Sequence, residues 1–280
     1  MTTTDTPQPA APVTVAALQM VSSPHLADNL ATARRLLEQS AALGAELAVL
    51  PEYFCHMGLR DRDKLALAET PGHGPIQAML AQAARELGLW VVGGTLPMAS
   101  TDPDHVANST LVFDPQGQCV CRYDKIHLFR FDNGHERYDE ASVLHAGHTP
   151  TTFSFQPRSG PPLTVGLSVC YDLRFPELYR LLAADVLLVP AAFTHTTGQA
   201  HWEVLLRARA IENQAYVLAS AQGGEHANGR RTWGHSMVID PWGEVLAQRS
   251  HGEGVVLATL ARATLARTRT NLPALQHRVF

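Results

Sequence analysis

Apolar residues along the chain fall into short unbroken runs separated by stretches of helical period, and this alternation predicts strands between helices. Val13 to Gln19 (VTVAALQ) suits a buried strand. In His25 to Ala42, residues Leu26, Leu30, Ala33, Leu37 and Ala41 recur at helical spacing, and Gly44 ends the helix. Glu46 to Leu50 is a second strand, stopping at Pro51-Glu52-Tyr53-Phe54. Pro75 to Leu87 is an alanine-rich helix opened by proline and closed by Gly88, and Leu89 to Thr95 is a strand again.

The pattern then changes. Asn108 to Phe113 and Gln118 to Tyr123 flank Asp114-Pro-Gln-Gly117 as a hairpin, with Lys125 just past its end. Arg130 to Thr149 is polar and without period, so it reads as a long ordered loop; it holds Glu136, Asp139 and Glu140. His145 and His148 lack a third ligand nearby and read as surface residues. Leu163 to Val169 is a strand ending at Cys170, after which Pro176 opens a short helix to about Ala183. Asp185 to Val189 is a strand running into Pro190-Ala-Ala-Phe193-Thr194. Gln199 to Gln214 puts Trp202, Leu205, Leu206 and Ala210 on one helical face, with Arg207 and Arg209 elsewhere. The remaining strands are Ala215 to Ala221, a hairpin around Asp240-Pro-Trp-Gly243, and Gly254 to Leu260; Ala261 to Thr270 is a closing helix. Strands alternating with helices and interrupted by hairpins predict an α/β fold of mixed sheets with helices outside. The units ending at Glu52 and at Cys170 look alike, a weak two-half pseudo-repeat. Periodicity leaves open whether there is one sheet or two.

Composition narrows the picture. The 280 residues are 45% hydrophobic and 17% charged, ample for one domain over residues 13–280 behind a Thr/Pro/Ala-rich tail, residues 1–12, read as disordered. A net charge of −4 with scattered Lys and Arg argues against nucleic-acid or membrane-surface partners, and no run approaches a membrane span. The four cysteines lack the spacing of a disulfide framework or zinc site; Cys119 and Cys121 alternate on one strand face. A reducing, cytoplasmic setting is expected.

Cys170 is the candidate centre. A side chain at a strand-to-helix bend is pushed out of the sheet, backbone N–H groups after it face a developing oxyanion, and the helix dipole favours a thiolate. The competing reading is a buried core cysteine; the flanking Tyr171-Asp-Leu-Arg174-Phe-Pro-Glu177 argues against it, since core strands seldom break into charged and aromatic residues. Amide carbons are poor electrophiles, so a sulfur attacking one needs a proton acceptor and a cation nearby, which Glu52 and Lys125 supply. Tyr171 offers its backbone N–H. Arg174 is a candidate carboxylate clamp, with an ion pair to Asp172 or Glu177 as the alternative. Phe129, Phe193 and Thr194 are candidate pocket walls.

Taken in order, Pro51-Glu52-Tyr-Phe, Arg122-Tyr-Asp-Lys125-Ile-His-Leu-Phe and Ser168-Val-Cys170-Tyr-Asp-Leu-Arg-Phe-Pro-Glu resemble the Glu, Lys and Cys motifs of the nitrilase (carbon–nitrogen hydrolase) superfamily. The resemblance runs on through Ala200 to Glu212, Gly234-His-Ser-Met237, Asp240-Pro-Trp-Gly243, Leu272-Pro273 and Gln276-His-Arg278, closest to the nitrilase-like amidase branch of deaminated glutathione amidase and omega-amidase. It implies a four-layer α-β-β-α sandwich of two mixed sheets, a homodimer joined sheet to sheet, and C–N hydrolysis through a Cys170 thioester with neither metal nor organic cofactor. It also implies that Glu140 holds Lys125 and orients the leaving group. The implied substrate is the monoamide of a 2-oxo dicarboxylic acid, with Cys-Gly or ammonia as the amine. A redox protein using Cys170 with Cys55, and a non-catalytic scaffold of the same fold, are the competing classes.

Overall fold

The computed structural model describes residues 11–279, so the tail expected over residues 1–12 lies outside it except for its last two positions. Strand Val13–Gln19 shows why its sequence is apolar throughout. Val13, Val15 and Ala17 point into one core and Ala16 and Leu18 into another, so both faces of the pleat are covered.

That strand pairs antiparallel with Gly254–Leu260 and parallel with Leu47–Val49, which continues parallel to Trp90–Val92. Val106–Phe113 joins next and carries Leu96–Ala99, Cys119–Asp124 and Leu144–His145, completing an eight-stranded sheet. The second sheet has six strands, in the order Thr152–Phe155, Leu163–Leu167, Val186–Ala191, Tyr216–Ala221, Ser236–Ile239 and Val245–Arg249. Its parallel strands run from Leu163–Leu167 to Tyr216–Ala221, and the flanking joins are antiparallel. Each sheet thus has a parallel centre of three strands, the structural form of the pseudo-repeat.

Helices α1 (Leu26–Ala42) and α2 (Pro75–Leu87) cover the outer face of the first sheet with Ala33, Leu36, Leu37, Ile76, Leu80 and Ala83. Helices α3 (Pro176–Leu182) and α4 (His195–Asn213) cover the second sheet through Leu178, Leu182, Trp202, Leu206 and Ala210. The closing helix α5 (Arg262–Asn271) buries Leu265. The layers are therefore α-β-β-α, with a core of Val15, Leu47, Val165, Val186 and Leu218 between the sheets.

Four local expectations change. Leu96–Ala99 and Thr152–Phe155 are strands that the sequence pattern did not mark, one short and the other at a sheet edge with alternate residues exposed. The stretch from Arg130 to Thr149 is a hairpin of Arg130–Asp132 with Arg137–Asp139, then a 3₁₀ turn over Glu140–Ser142; polar strands lying outside the core give no apolar period. Helix α4 begins at His195 rather than Gln199, because the Thr194 hydroxyl accepts from Thr197 N and caps it. Arg209 is buried, donating to Leu173 O at 2.8 and 3.1 Å and to Glu212 at 2.8 Å, which ties α4 to the turn after Cys170.

The two sheets are fastened at the carboxyl ends of their parallel strands. Ser220 Oγ reaches both Leu18 O and Val49 O, and Gln222 Nε2 donates to Glu52 O at 3.0 Å and to Ser22 Oγ at 2.8 Å.

Candidate active site

The chain leaves strand Leu47–Val49 through Leu50 and Pro51, and Gly94 lets it turn close. A Cβ at Gly94, whose φ is +48°, would lie 2.1 Å from Pro51 O, so only glycine fits there. The Glu52 side chain enters the interior and is fully buried. Its Oε1 accepts from Lys125 Nζ at 2.8 Å and from Asn108 Nδ2 at 3.0 Å, and its Oε2 accepts from Ala192 N at 2.9 Å. These three donors satisfy both buried oxygens without water.

Lys125 follows strand Cys119–Asp124 and is likewise fully buried. Its ammonium makes three short bonds, to Glu52 Oε1 and to Glu140 Oε1 and Oε2 at 3.0 and 2.8 Å. Burial opposes the charge, but Glu140, Glu52 and Cys170 together outweigh it and hold the ammonium above its ordinary pKa. Glu140 also accepts from Phe129 N at 2.7 Å and from the Tyr53 hydroxyl at 2.8 Å. Burial pushes the Glu140 carboxyl up, yet Lys125 and the Phe129 N–H pull it below the usual carboxylate value.

Cys170 ends the approach from strand Leu163–Leu167. Its φ of +49° is a left-handed conformation that a residue with a Cβ adopts only under constraint, at a cost of about 1–3 kcal/mol. The constraint is Asp172. This buried carboxylate accepts from Val169 N (2.8 Å), the Tyr123 hydroxyl (2.6 Å), His127 N (3.0 Å) and His127 Nδ1 (2.7 Å), which pins the bend to the segment carrying Lys125. The His127 ring stacks on Phe175, centroids 3.6 Å apart. A 3₁₀ turn over Cys170–Arg174 precedes α3, and the Tyr171 N–H makes no backbone hydrogen bond among the described residues.

The sulfur differs from the expected thiolate. Burial, and then the Glu52 charge that the thiol hydrogen-bonds, push its pKa well above that of a free cysteine, with Lys125 only partly opposing. The reason is that Lys125 already faces two carboxylates and has no spare positive charge to lend.

A narrow cavity opens on the sulfur, lined by Phe129, Glu140, Cys170, Tyr171, Phe193 and Thr194, all expected, together with Ala192, Thr197 and Arg230. Arg174 is not among them. Its Nη1 lies 3.3 Å from His201 Nδ1 and its guanidinium packs over the rings of Phe193 and Tyr171, behind the cavity wall. Neither acid offered as its alternative partner pairs with it among the described residues, since Asp172 is committed to the bend. Sequence reading also missed Asn108, Tyr53 and Arg230. Asn108 gives one signal, an amide opening the polar Asn108-Ser-Thr110 stretch of a wholly buried strand. Cys55 is buried and distinct from the cavity lining, its thiol near Thr95 O. Among the described residues no cluster of three His, Cys, Asp or Glu side chains could hold a metal ion, and no helix is long and apolar enough to cross a membrane.

Comparison with known proteins agrees with this geometry. The deaminated glutathione amidase of Yersinia enterocolitica is 40% identical over 275 residues, covering 95% of this chain and 93% of the relative. The human protein of that name is 41% identical over 271 residues, covering 94% and 81%. Among solved structures, Saccharomyces cerevisiae Nit3, a member of branch 10 of the nitrilase superfamily, superposes with a TM-score of 0.84 at 29% identity, covering 98% of both chains. The carbon-nitrogen hydrolase family matches residues 14–270, and the chain belongs to that family, as a hydrolase of C–N bonds other than peptide bonds.

Proposed function

We propose that the chain hydrolyses the amide of a small 2-oxo acid, of the deaminated glutathione type, through a thioester on Cys170. The observation that carries this is the convergence of Glu52, Lys125 and Glu140, from segments far apart in the chain, into one bonded group beside the cavity that Glu140 and Cys170 line. The relatives' names supply the substrate class.

The sequence of steps follows from the contacts. Glu52 takes the thiol proton as the sulfur bonds to the amide carbon. The carbonyl oxygen becomes an oxyanion facing the Tyr171 N–H and the Lys125 ammonium, donors typically worth about 3 kcal/mol each. All three Lys125 N–H groups are engaged at rest, so one of its two bonds to Glu140 turns to the oxyanion. Glu140 thereby acts as a positioning residue. Glu52 then passes its proton to the nitrogen as the C–N bond breaks and the amine departs. It next takes a proton from water, which attacks the thioester, and returns that proton to sulfur as the acid leaves. A homodimer working in the reducing cytoplasm belongs to the same reading, consistent with four cysteines that are all unpaired.

Rapid-quench measurement with the deaminated tripeptide tests the intermediate: amine should appear in a burst of about one per site ahead of the acid. Equal, burst-free release of both, under conditions where thioester hydrolysis limits turnover, overturns the acyl-enzyme. A second reading, omega-amidase, is separated by kcat/KM on 2-oxoglutaramate against the deaminated tripeptide.

A further inference from the structure

The cavity at Cys170 is one of two that meet at a single side chain. The second, about 420 Å³ and more open, adjoins the first, and Arg230 lines both. Three features set Arg230 apart. Its Nη2 donates to Ala192 O at 2.7 Å, on the residue whose N–H holds Glu52. Its Nε is buried without a hydrogen-bond partner, and its guanidinium lies 5.1 Å from the Tyr138 ring centroid. Among the described residues no carboxylate lies within ion-pair distance of it, so it is a half-buried cation with donors to spare.

Lys64 is the second such cation. It lines the outer cavity, its Nζ sits 4.8 Å over the Tyr53 ring, and among the described residues it too lacks an ion pair. Two acids share that wall, Asp61 and Glu136, of which Glu136 accepts from the Thr196 hydroxyl at 3.1 Å. Half-buried cations without an ion pair are favourable places for an anion.

Resting on the thioester reading above, we propose that Arg230 binds the carboxylate of the substrate's acyl part. We further propose that the outer cavity receives the departing amine, with Lys64 facing a carboxylate on it. The assignment follows from connectivity. The acyl group is bonded to Cys170 and must occupy the inner cavity, where Arg230 is the one lining cation. The amine lies on the far side of the breaking bond and has the larger, open cavity to fill. An amine that is itself a short peptide with a free carboxylate matches Lys64, whereas ammonia would leave the outer cavity unused. This places the preferred substrate among dianionic amides with a peptide leaving group.

The test compares kcat/KM for a neutral aliphatic amide, 2-oxoglutaramate and the deaminated tripeptide. Arg230→Gln should lower it about 10- to 100-fold more on both anionic amides than on the neutral one, through KM, with partial recovery in Arg230→Lys. Lys64→Gln should lower it about tenfold on the tripeptide relative to 2-oxoglutaramate. An equal fall on all three amides in Arg230→Gln would mean that it only supports the Ala192 carbonyl, and would overturn the clamp. An equal fall on both anionic amides in Lys64→Gln, or none, would overturn the amine site. If the wild-type protein cleaves none of the three, the proposed function itself fails, an outcome distinct from either.

Discussion

The Glu52 corner and the Cys170 corner are built alike and held differently. Each follows a parallel strand and each carries a left-handed residue, Tyr53 at φ +57° and Cys170 at φ +49°. At the first corner the functional side chain itself is fixed, by three donors to its two oxygens. At the second, the fixing falls on a neighbour, Asp172, and the sulfur is left free to face the cavity. In the proposed mechanism the Glu52 carboxylate, buried in a dry interior, needs its partners at all times, while the Cys170 sulfur needs an open side. The difference predicts that Cys170 matters to the chemistry alone, whereas Glu52 matters to chemistry and to stability together.

The largest effect that would sharpen this contrast comes from two variants measured side by side. Cys170→Ala should lower kcat by about 10⁴-fold or more with its melting temperature near that of the wild type. Glu52→Gln should lower kcat by about 10²- to 10⁴-fold and also reduce the melting temperature, since it leaves buried Lys125 with one carboxylate fewer. A larger thermal loss in Cys170→Ala than in Glu52→Gln breaks the comparison.

A smaller effect extends the first corner to Glu140. Its carboxyl is depressed in the folded protein, so its contribution to stability is complete above the ordinary carboxylate value of 4.5 and is lost as pH falls through the lower folded value. Glu140→Gln should therefore cost about 3 kcal/mol near neutral pH, and the gap from wild type should close below about pH 4 in denaturation curves. A gap that widens in acid would reverse the assignment. The smallest effect is at the outer side of the second corner. Arg174→Ala should change kcat/KM less than about threefold on any amide, because its guanidinium packs behind the cavity wall.

Much of the architecture was legible because burial on both faces leaves unbroken apolar runs. Val13–Gln19, Pro75–Leu87 and Gly254–Leu260 have the bounds that their patterns predict. Of the site, Glu52, Lys125 and Cys170 were legible because each interrupts the chain at a strand's end, and the structure brings those three and Glu140 together. Arg230 was not, because it lies in the turn Asn228-Gly-Arg-Arg231, where neither period nor spacing tells which of two arginines turns inward. Arg174 shows that chain position and cavity lining can part. Nearness along the chain to Cys170 suggested nearness to the substrate, but the 3₁₀ turn carries its guanidinium behind the wall. The direction of the thiol's shift was not legible, because sequence shows which charges exist and not how completely they cancel.

The Ser220 hydroxyl, reaching the carbonyls of Leu18 and Val49, has an evolutionary reading. By riveting main chain to main chain, it sets the gap between acid and sulfur in the scaffold itself. Surface segments bearing Lys64 and Arg230 are then at liberty to drift, so descendants of such a protein can change diet without retuning the reaction.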